Sequence, residues 1–274
     1  MSFEALKKQF ERERITNPEK QFVHISDQFT FPEGWINHDL PTGRIYKNEL
    51  FPGEEFFSAT TVLGKIANMN GEDSWLQAWR DRVGEEEADR ISKEATDRGS
   101  AMHDYLEKYL SNMTVVNKHN AAYQMFQELK PWCDDRIDAV IASEHALFSR
   151  RLKVAGRVDL VAVLDGGGVI EDGIETLVDF KTSRKEKVDA DIGGYKRQVT
   201  IYAMLVKETT GLNLEMAEIW MSIFDPKVDP KPRAKKFEIV VQNYVETVID
   251  ELAMLHETLG NPINVDECKR FFCL

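Results

Sequence analysis

Three ionisable residues lie in two strongly apolar segments of the sequence. Asp159 belongs to a segment rich in valine and leucine, and Asp179 and Lys181 flank Phe180 in a second one. Because side chains alternate along a strand, Asp179 and Lys181 share one face while Phe180 points to the other, into the core. If the strand that carries Asp159 pairs alongside, two carboxylates and an ammonium group converge in a site of low dielectric.

Such a cluster favours a divalent cation. Two neighbouring carboxylates repel each other unless a proton or a cation neutralises them, and oxygen ligands favour Mg²⁺, with Mn²⁺ as its substitute. Lys181 would then orient a water nucleophile, help to deprotonate it, or offset charge on a phosphorane-like transition state. The alternative is a buried Asp–Lys salt bridge between two strands, which desolvation makes a poor stabiliser.

Strands must position these residues, and period-two runs of Val, Ile, Leu and Phe predict where they lie. The predicted strands are Ile137 to Phe148, Val154 to Leu164, Ile174 to Lys181, Ala217 to Phe224 and Lys235 to Val241. Between the two acidic motifs, Asp165-Gly166-Gly167-Gly168 is typical of a turn built from residues with positive φ. The segment from Phe22 to Phe57 has several Pro and Gly turn signals and predicts short strands or irregular connections.

Helical spacing of apolar residues predicts the remaining elements. These are Met1 to Arg14; Val62 to Ala67 after a Thr60 or Thr61 cap; a helix with Trp75, Leu76 and Trp79 after Asp73 or Ser74; Glu85 to Ala95; Arg98 to Leu110; Asn120 to Cys133; Tyr195 to Lys207, stopping near Gly211; and a final helix from Val245 to Leu259. The fold class is α/β or α+β, with a mixed central sheet flanked by helices. We expect one domain, mainly helical over 1–135, with the sheet core over 136–274.

Composition excludes several classes of protein. The formal net charge of −12 argues against a protein that coats polyanions indiscriminately, although Arg150 to Lys236 holds 16 basic and 14 acidic residues. No apolar run reaches the length of a membrane span, so we expect no membrane association and a cytoplasmic location. The three cysteines, Cys133, Cys268 and Cys273, indicate neither a disulfide framework nor a zinc ribbon.

The motifs in their order resemble the PD-(D/E)XK nuclease superfamily, in its RecB-like branch. Gly156-x-x-Asp159 followed by Asp179-Phe180-Lys181-Thr182 is similar to its core, Arg98-Gly99 with His103 and Glu107 to its R-G-x-x-x-H helix, and Gln198-x-x-x-Tyr202 to its Q-x-x-x-Y helix. Ser58 to Leu63 and Trp79 resemble the mitochondrial genome maintenance exonuclease and related phage exonucleases. The ordered combination is more specific than any one motif.

This resemblance implies a restriction-endonuclease-like fold and assigns roles to the site residues. It implies His103, Asp159, Asp179 and the Phe180 carbonyl as metal ligands and Lys181 as the catalytic lysine. Glu144 matches an acidic residue of the preceding strand and would reach a second metal or hold the water; an exposed strand carboxylate is the alternative. Without the motif, His103 would more often be a core or surface histidine.

Nucleic-acid contacts follow from the same comparison. Gln198 and Tyr202 share one helix face and would contact DNA phosphate or position the lysine, or simply form a polar face. Among the basic residues that follow the second acidic motif, the candidate DNA-binding residues are Arg184, Lys185, Lys196 and Arg197. Trp75 and Trp79 could stack bases, but aromatic residues at helical spacing are more often core, which is our expectation for both.

The sequence therefore predicts a Mg²⁺-dependent deoxyribonuclease. We expect an exonuclease acting on single-stranded or open DNA ends, in phage or bacterial recombination and repair, with a recombination or single-strand-binding protein as candidate partner. Iron-sulfur members of the branch use four cysteines, so no such cluster is expected. The alternatives are a structure-specific endonuclease and a non-catalytic nucleic-acid-binding subunit that retains the fold.

Overall fold

The computed structural model describes residues 15–16 and 21–273, so the helix predicted over Met1 to Arg14 lies outside the described residues. The strands are β1 (Ile15–Thr16), β2 (Val23–His24), β3 (Trp35–Leu40), β4 (Gly43–Asn48), β5 (Phe56–Ser58), β6 (Val115–Val116), β7 (Ile137–Ser143), β8 (Ala146–Ser149), β9 (Val154–Arg157), β10 (Leu160–Leu164), β11 (Ile174–Ser183), β12 (Met216–Ile223) and β13 (Arg233–Val240). The α-helices are α1 (Ala59–Met69), α2 (Ser74–Val83), α3 (Glu85–Leu110), α4 (Ala121–Arg136), α5 (Gly193–Thr210), α6 (Gln242–Thr258) and α7 (Val265–Phe272).

Two mixed sheets form the centre of the protein. The six-stranded sheet has the order β13-β12-β11-β10-β7-β2, and the five-stranded sheet has the order β3-β4-β5-β9-β8. Strands β11 and β12 run parallel, as do β5 and β9, while β10 and β11 run antiparallel. The mixed sheet flanked by helices that the sequence predicted is confirmed.

The two faces of the six-stranded sheet pack against different helices. Leu160, Val178 and Phe180 join one buried cluster with residues of α3 and α4. Val161 and Leu177, one position away, join a second cluster with residues of α1, α5 and α6. This alternation is the period-two pattern of a sheet buried on both faces. It places the side of β11 that carries Asp179 and Lys181 toward α5.

The chain crosses between the two sheets at a corner. β7 belongs to the six-stranded sheet and β8 to the five-stranded one, and Glu144 lies in the break between them with a φ of 55°. β9 and β10 divide in the same way, with Asp159 in the break. The sequence predicted each pair as one continuous strand; bends of this kind are how strands pass from one packed sheet to another.

Several helix boundaries differ from the predicted ones. The two helices expected between Glu85 and Leu110 are one continuous helix, α3, and α7 was not predicted. Asn120, predicted as the first residue of a helix, is the N-cap of α4, and α1 is capped not by Thr60 or Thr61 but by Ser58, whose hydroxyl accepts from the Thr61 N–H at 3.0 Å. None of the helices within residues 21–273 is long and apolar enough to cross a membrane.

The expectation that Trp75 and Trp79 are core residues is wrong. α2 contains no buried residue, and Trp75 is 67% exposed. The apolar residues of α2 therefore follow helical spacing although none of them is buried. Helical spacing alone cannot distinguish a helix that packs on the core from one that faces solvent.

His256 makes folding stability depend on pH. It is fully buried on α6, and burial lowers its pKa below 6.5, with the positive charge of Lys153 acting in the same direction. The unfolded chain then takes up a proton that the folded chain resists. The contribution to stability is complete above about pH 6.5 and is lost as the pH falls through the lowered folded-state pKa.

We therefore expect the free energy of unfolding of His256→Leu to fall less than that of the wild-type protein when the pH is lowered from about 7.5 to about 5.5. Urea unfolding at a series of pH values measures this difference. If the free energy of unfolding depended on pH in the same way in both proteins, the proposed role of His256 would be contradicted.

Candidate active site

Asp159 and Asp179 lie opposite each other at the corner between the sheets. Leu160 pairs with Val178 in the antiparallel ladder of β10 and β11. The same register brings Asp159, one residue earlier, beside Asp179, one residue later. The backbone N–H of Phe180 donates to Asp159 Oδ2 at 2.9 Å, which orients that carboxylate. The structure thus brings the two acidic motifs together.

His103 reaches the same place from α3, on the other face of the sheet. Its Nε2 lies 3.0 Å from the carbonyl oxygen of Phe180, and its Nδ1 lies 3.4 Å from Asp159 Oδ1 and 3.9 Å from Glu144 Oε1. Burial alone would lower the pKa of His103, but the Asp159 and Glu144 carboxylates raise it to about 10. The imidazole therefore lies among the oxygen atoms that the sequence predicted as ligands.

Glu144 is placed by a turn and not by a strand. Its backbone N–H donates to the carbonyl of Asp159 at 3.2 Å, so the two breaks in the sheets are joined directly. A left-handed φ at a non-glycine residue is uncommon and occurs often at functional sites. Arg157 Nε lies 2.6 Å from Glu144 Oε2. Arg157 stands inside the quoted motif, yet the sequence analysis assigned it no role.

Asp179 and Lys181 form a buried ion pair on the α5 side. Lys181 Nζ lies 2.5 Å from Asp179 Oδ2 and 5.3 Å from the ring centre of Tyr195. Burial raises the pKa of Asp179 to about 6, and the Asp159 carboxylate acts in the same direction. Burial would lower the pKa of Lys181, but Asp179 and Asp159 raise it above the usual value. Lys181 is therefore an ammonium ion.

This donor set suits a divalent cation. One ligand atom each from His103, Glu144 and Asp159 lie within 4.8 Å of one another. Asp179 is outside this trio, but its two buried oxygens have no aligned hydrogen-bond donor within the described chain, apart from the ion-pair contact with Lys181. The carboxylate and carbonyl oxygens of this set are the ligands that Mg²⁺ and Mn²⁺ prefer.

Comparison with known proteins agrees with this geometry. The family model of the PD-(D/E)XK nuclease superfamily matches residues 74–270, from the start of α2 into α7, which include the whole cluster. The chain belongs to the PD-(D/E)XK nuclease superfamily. PD-(D/E)XK nucleases usually use divalent metals, which agrees with the donor set at the corner. No curated protein matches the chain.

In this PD-(D/E)XK nuclease, the ring of Tyr202 packs against Gly156 of β9, the strand that leads to Asp159. Its ring is 5% exposed, and burial raises the pKa of its hydroxyl, which is hydrogen-bonded to the side chain of Gln198. A Cβ atom at Gly156 would lie only 2.7 Å from the Tyr202 ring. The DNA contact expected of Tyr202 is therefore not available in this conformation, because its ring is buried against Gly156.

Gly156→Ala is expected to destabilise the protein by about 1–3 kcal/mol, the usual cost of overpacking a core. The reason is the contact between the new Cβ and the Tyr202 ring. Chemical denaturation measures the loss, and in the double variant with Tyr202→Ala the two costs should not add. Gly64→Ala is the matched control, because Gly64 lies at an exposed position of α1 and its Cβ would meet nothing within 4 Å. Additive costs would contradict the proposed contact.

Two of the predicted DNA-binding residues are occupied elsewhere. The Arg197 guanidinium pairs with Glu72 at 2.7 Å and with Glu251 at 2.9 Å, and so ties α5 to α6. Lys196 pairs with Asp189 at 2.7 Å. Lys196 and Arg197 come one and two residues after Tyr195. The sequence alone could not show that they lie away from the helix face that is turned toward the site. Their placement does not favour phosphate binding.

The other two basic residues remain available at the end of β11. Arg184 is exposed, and its nearest carboxylate is Glu94 at 3.4 Å; Lys185 is exposed as well. Tyr195, the aromatic neighbour of Lys181, was missed by the sequence analysis. It stands three residues before Gln198, on the same helix face, and that spacing is the signal that could have identified it.

Proposed function

We propose that this chain is a Mg²⁺-dependent DNA exonuclease of the RecB-like branch that acts on single-stranded or open ends. One observation carries the proposal. His103, Asp159 and Glu144 reach one point from a helix and two strand breaks, beside the Asp179–Lys181 pair. A structural salt bridge would need only Asp179 and Lys181. A hydrolytic site also needs further ligand atoms for a metal, which His103, Glu144 and Asp159 offer.

The residues of the chain have distinct tasks in this proposal. A bound divalent cation supplies positive charge to the phosphodiester and lowers the pKa of water. Lys181, whose Nζ is held beside Asp179, donates to the scissile phosphate and stabilises the charge that develops there. Arg157 fixes Glu144 and, with a side chain 59% exposed, is available to a phosphate next to the scissile one.

The shape of the site supports a strand end as the substrate. The side chains of Glu144 and Asp159 are only 11% and 12% exposed. A recessed site of this kind suits a thin single strand better than the middle of a duplex. We place the enzyme in phage or bacterial recombination and repair, in the cytoplasm, with a recombination or single-strand-binding protein as candidate partner.

The N-terminal part supports our proposal of a single nuclease domain. β2 pairs with β7, and β5 pairs with β9, so strands from the first part of the chain complete both sheets of the second. The N-terminal elaboration is thus part of the same hydrogen-bonded framework as the site.

A comparison of linear and covalently closed single-stranded DNA tests the proposed function. The purified protein is incubated with end-labelled linear strands and with circles, in Mg²⁺ and in EDTA. We expect linear strands to be degraded in Mg²⁺ only, and circles to remain intact, because a circle has no end. Cleavage of circles would replace the exonuclease with an endonuclease, and DNA binding without any cleavage would indicate a non-catalytic subunit.

A further inference from the structure

A cavity of about 400 Å³ opens beside the metal-binding cluster. Its walls include Phe31, Trp35, Glu107, Ser143, Glu144 and His145. Glu144 belongs both to this cavity and to the group of clustered ligand atoms, so the cavity begins where the site ends. Its volume lies within the range of about 300–1,000 Å³ that is typical of small-molecule sites.

We propose that this cavity binds the nucleobase of the terminal nucleotide while its phosphate lies at the metal-binding cluster. The proposal rests on the proposed function and adds the part of the substrate that is recognised. With the base bound in this cavity, the enzyme would recognise the end of a strand by its terminal nucleobase. A nucleobase has the planar shape and the mixture of polar edge and apolar face that such a pocket requires.

Two rings supply an aromatic wall. The ring centres of Phe31 and His145 are 4.5 Å apart, with an angle of 58° between the planes. His145 Nδ1 donates to the carbonyl of Ser143 at 2.8 Å, which fixes the ring and leaves Nε2 as an acceptor. Because the rings are held before the ligand arrives, a base can stack on this wall at little cost in side-chain entropy.

The charge of the cavity selects the base over the phosphate. Besides Glu144, which is paired with Arg157, two glutamates contribute to its walls: Glu33 and Glu107. Their carboxylates repel a phosphate group, whereas they accept hydrogen bonds from the amino groups of bases. Glu107 follows His103 by four residues on α3, so the two share one helix face. One helix thus presents a candidate metal ligand and a candidate base contact.

A fluorescent base at the strand end tests the proposal without any hydrolysis. Single-stranded oligonucleotides carry 2-aminopurine at either the 5′ or the 3′ end and are titrated with protein in EDTA. We expect quenching for one of the two ends, and about tenfold weaker binding of that end by His145→Ala and by Phe31→Leu. His38→Ala, an exposed histidine of β3 outside the cavity, is the matched control. Thermal unfolding verifies that each variant is folded.

A hydrolysis assay separates this proposal from the proposed function. In Mg²⁺, we expect the wild-type protein to cleave a strand with an intact terminal base about tenfold faster than one with a terminal abasic residue, and His145→Ala to lose this preference. Equal rates for the two ends, or quenching that both variants retain, would overturn the base-binding cavity while leaving the nuclease intact. Failure to cleave any DNA would refute the nuclease, and the quenching would still decide the cavity.

Discussion

Lys181→Ala is expected to slow DNA hydrolysis about 10²- to 10³-fold, the usual cost of removing one group that stabilises developing charge. The side chain is 17% exposed, and its Nζ lies 2.5 Å from Asp179 Oδ2, so its position is fixed before substrate binds. In the proposed mechanism, Lys181 is the only residue of β11 whose charge acts on the scissile phosphate, and alanine removes that charge. Binding of DNA, measured by fluorescence anisotropy, should change little.

Two controls make the Lys181 result decisive. The single variant leaves Asp179 buried without its cation, which can destabilise the protein. The double variant with Asp179→Asn removes that stranded charge, and its thermal unfolding, compared with that of Lys181→Ala, measures how much stability the stranded charge costs. Lys227→Ala, at an exposed lysine in a turn after β12, should cleave at the wild-type rate. An active Lys181→Ala protein would refute the catalytic role.

Asp159→Asn is expected to weaken Mn²⁺ binding by more than about 100-fold, because the loss of residues that merely orient a ligand already costs about 10- to 100-fold. Asparagine keeps the size of the side chain and an oxygen that can accept from the Phe180 N–H, so the corner should stay folded. Isothermal titration calorimetry with Mn²⁺ measures the change.

Two further variants give the Asp159 result its context. His103→Ala should also weaken Mn²⁺ binding and activity without unfolding the protein, since its imidazole reaches the cluster from a helix that is already packed. Glu175→Gln, an exposed carboxylate near the start of β11, should bind Mn²⁺ as the wild-type protein does. Wild-type affinity in Asp159→Asn would place the metal elsewhere.

The sequence could predict the acidic pair because a strand has a fixed period. Alternation put Asp179 and Lys181 on one face, and the apolar neighbours of Asp159 required a strand beside them. The sequence left open whether the strand of Asp159 pairs alongside; in the structure β10 pairs with β11, and Asp165, Gly167 and Gly168 in the connection between them adopt positive φ as predicted. Local rules were sufficient for the shared face and for the turn.

Local rules were not sufficient at the corner. Whether Glu144 continues a strand or breaks it depends on where the second sheet packs, and its φ of 55° is imposed by that packing. The close contact of Gly156 with Tyr202 joins residues 46 positions apart in the sequence. The carboxylates that pair with Arg197 belong to Glu72, in a turn, and to Glu251, on α6. These features are tertiary, and no periodicity of the sequence reports them.

The continuity of α3 illustrates a third case. The sequence predicted two helices here, one ending at Ala95 and the next beginning at Arg98. In the structure, charged residues near this junction pair along a single helix: Lys93 with Asp97 at 2.9 Å, and Arg90 with Glu87 at 2.6 Å. Such pairs add only about 0.2–0.5 kcal/mol each, but they make a solvated helix turn acceptable. His103 depends on this continuity for its place above the sheet.

Crystals grown with Mn²⁺ test the metal site itself, because anomalous diffraction locates the metal without assuming a function. We expect an anomalous peak at the corner, in contact with Asp159 and the Phe180 carbonyl and within reach of His103 and Asp179. A peak at a different acidic cluster, with none at the corner, would contradict it.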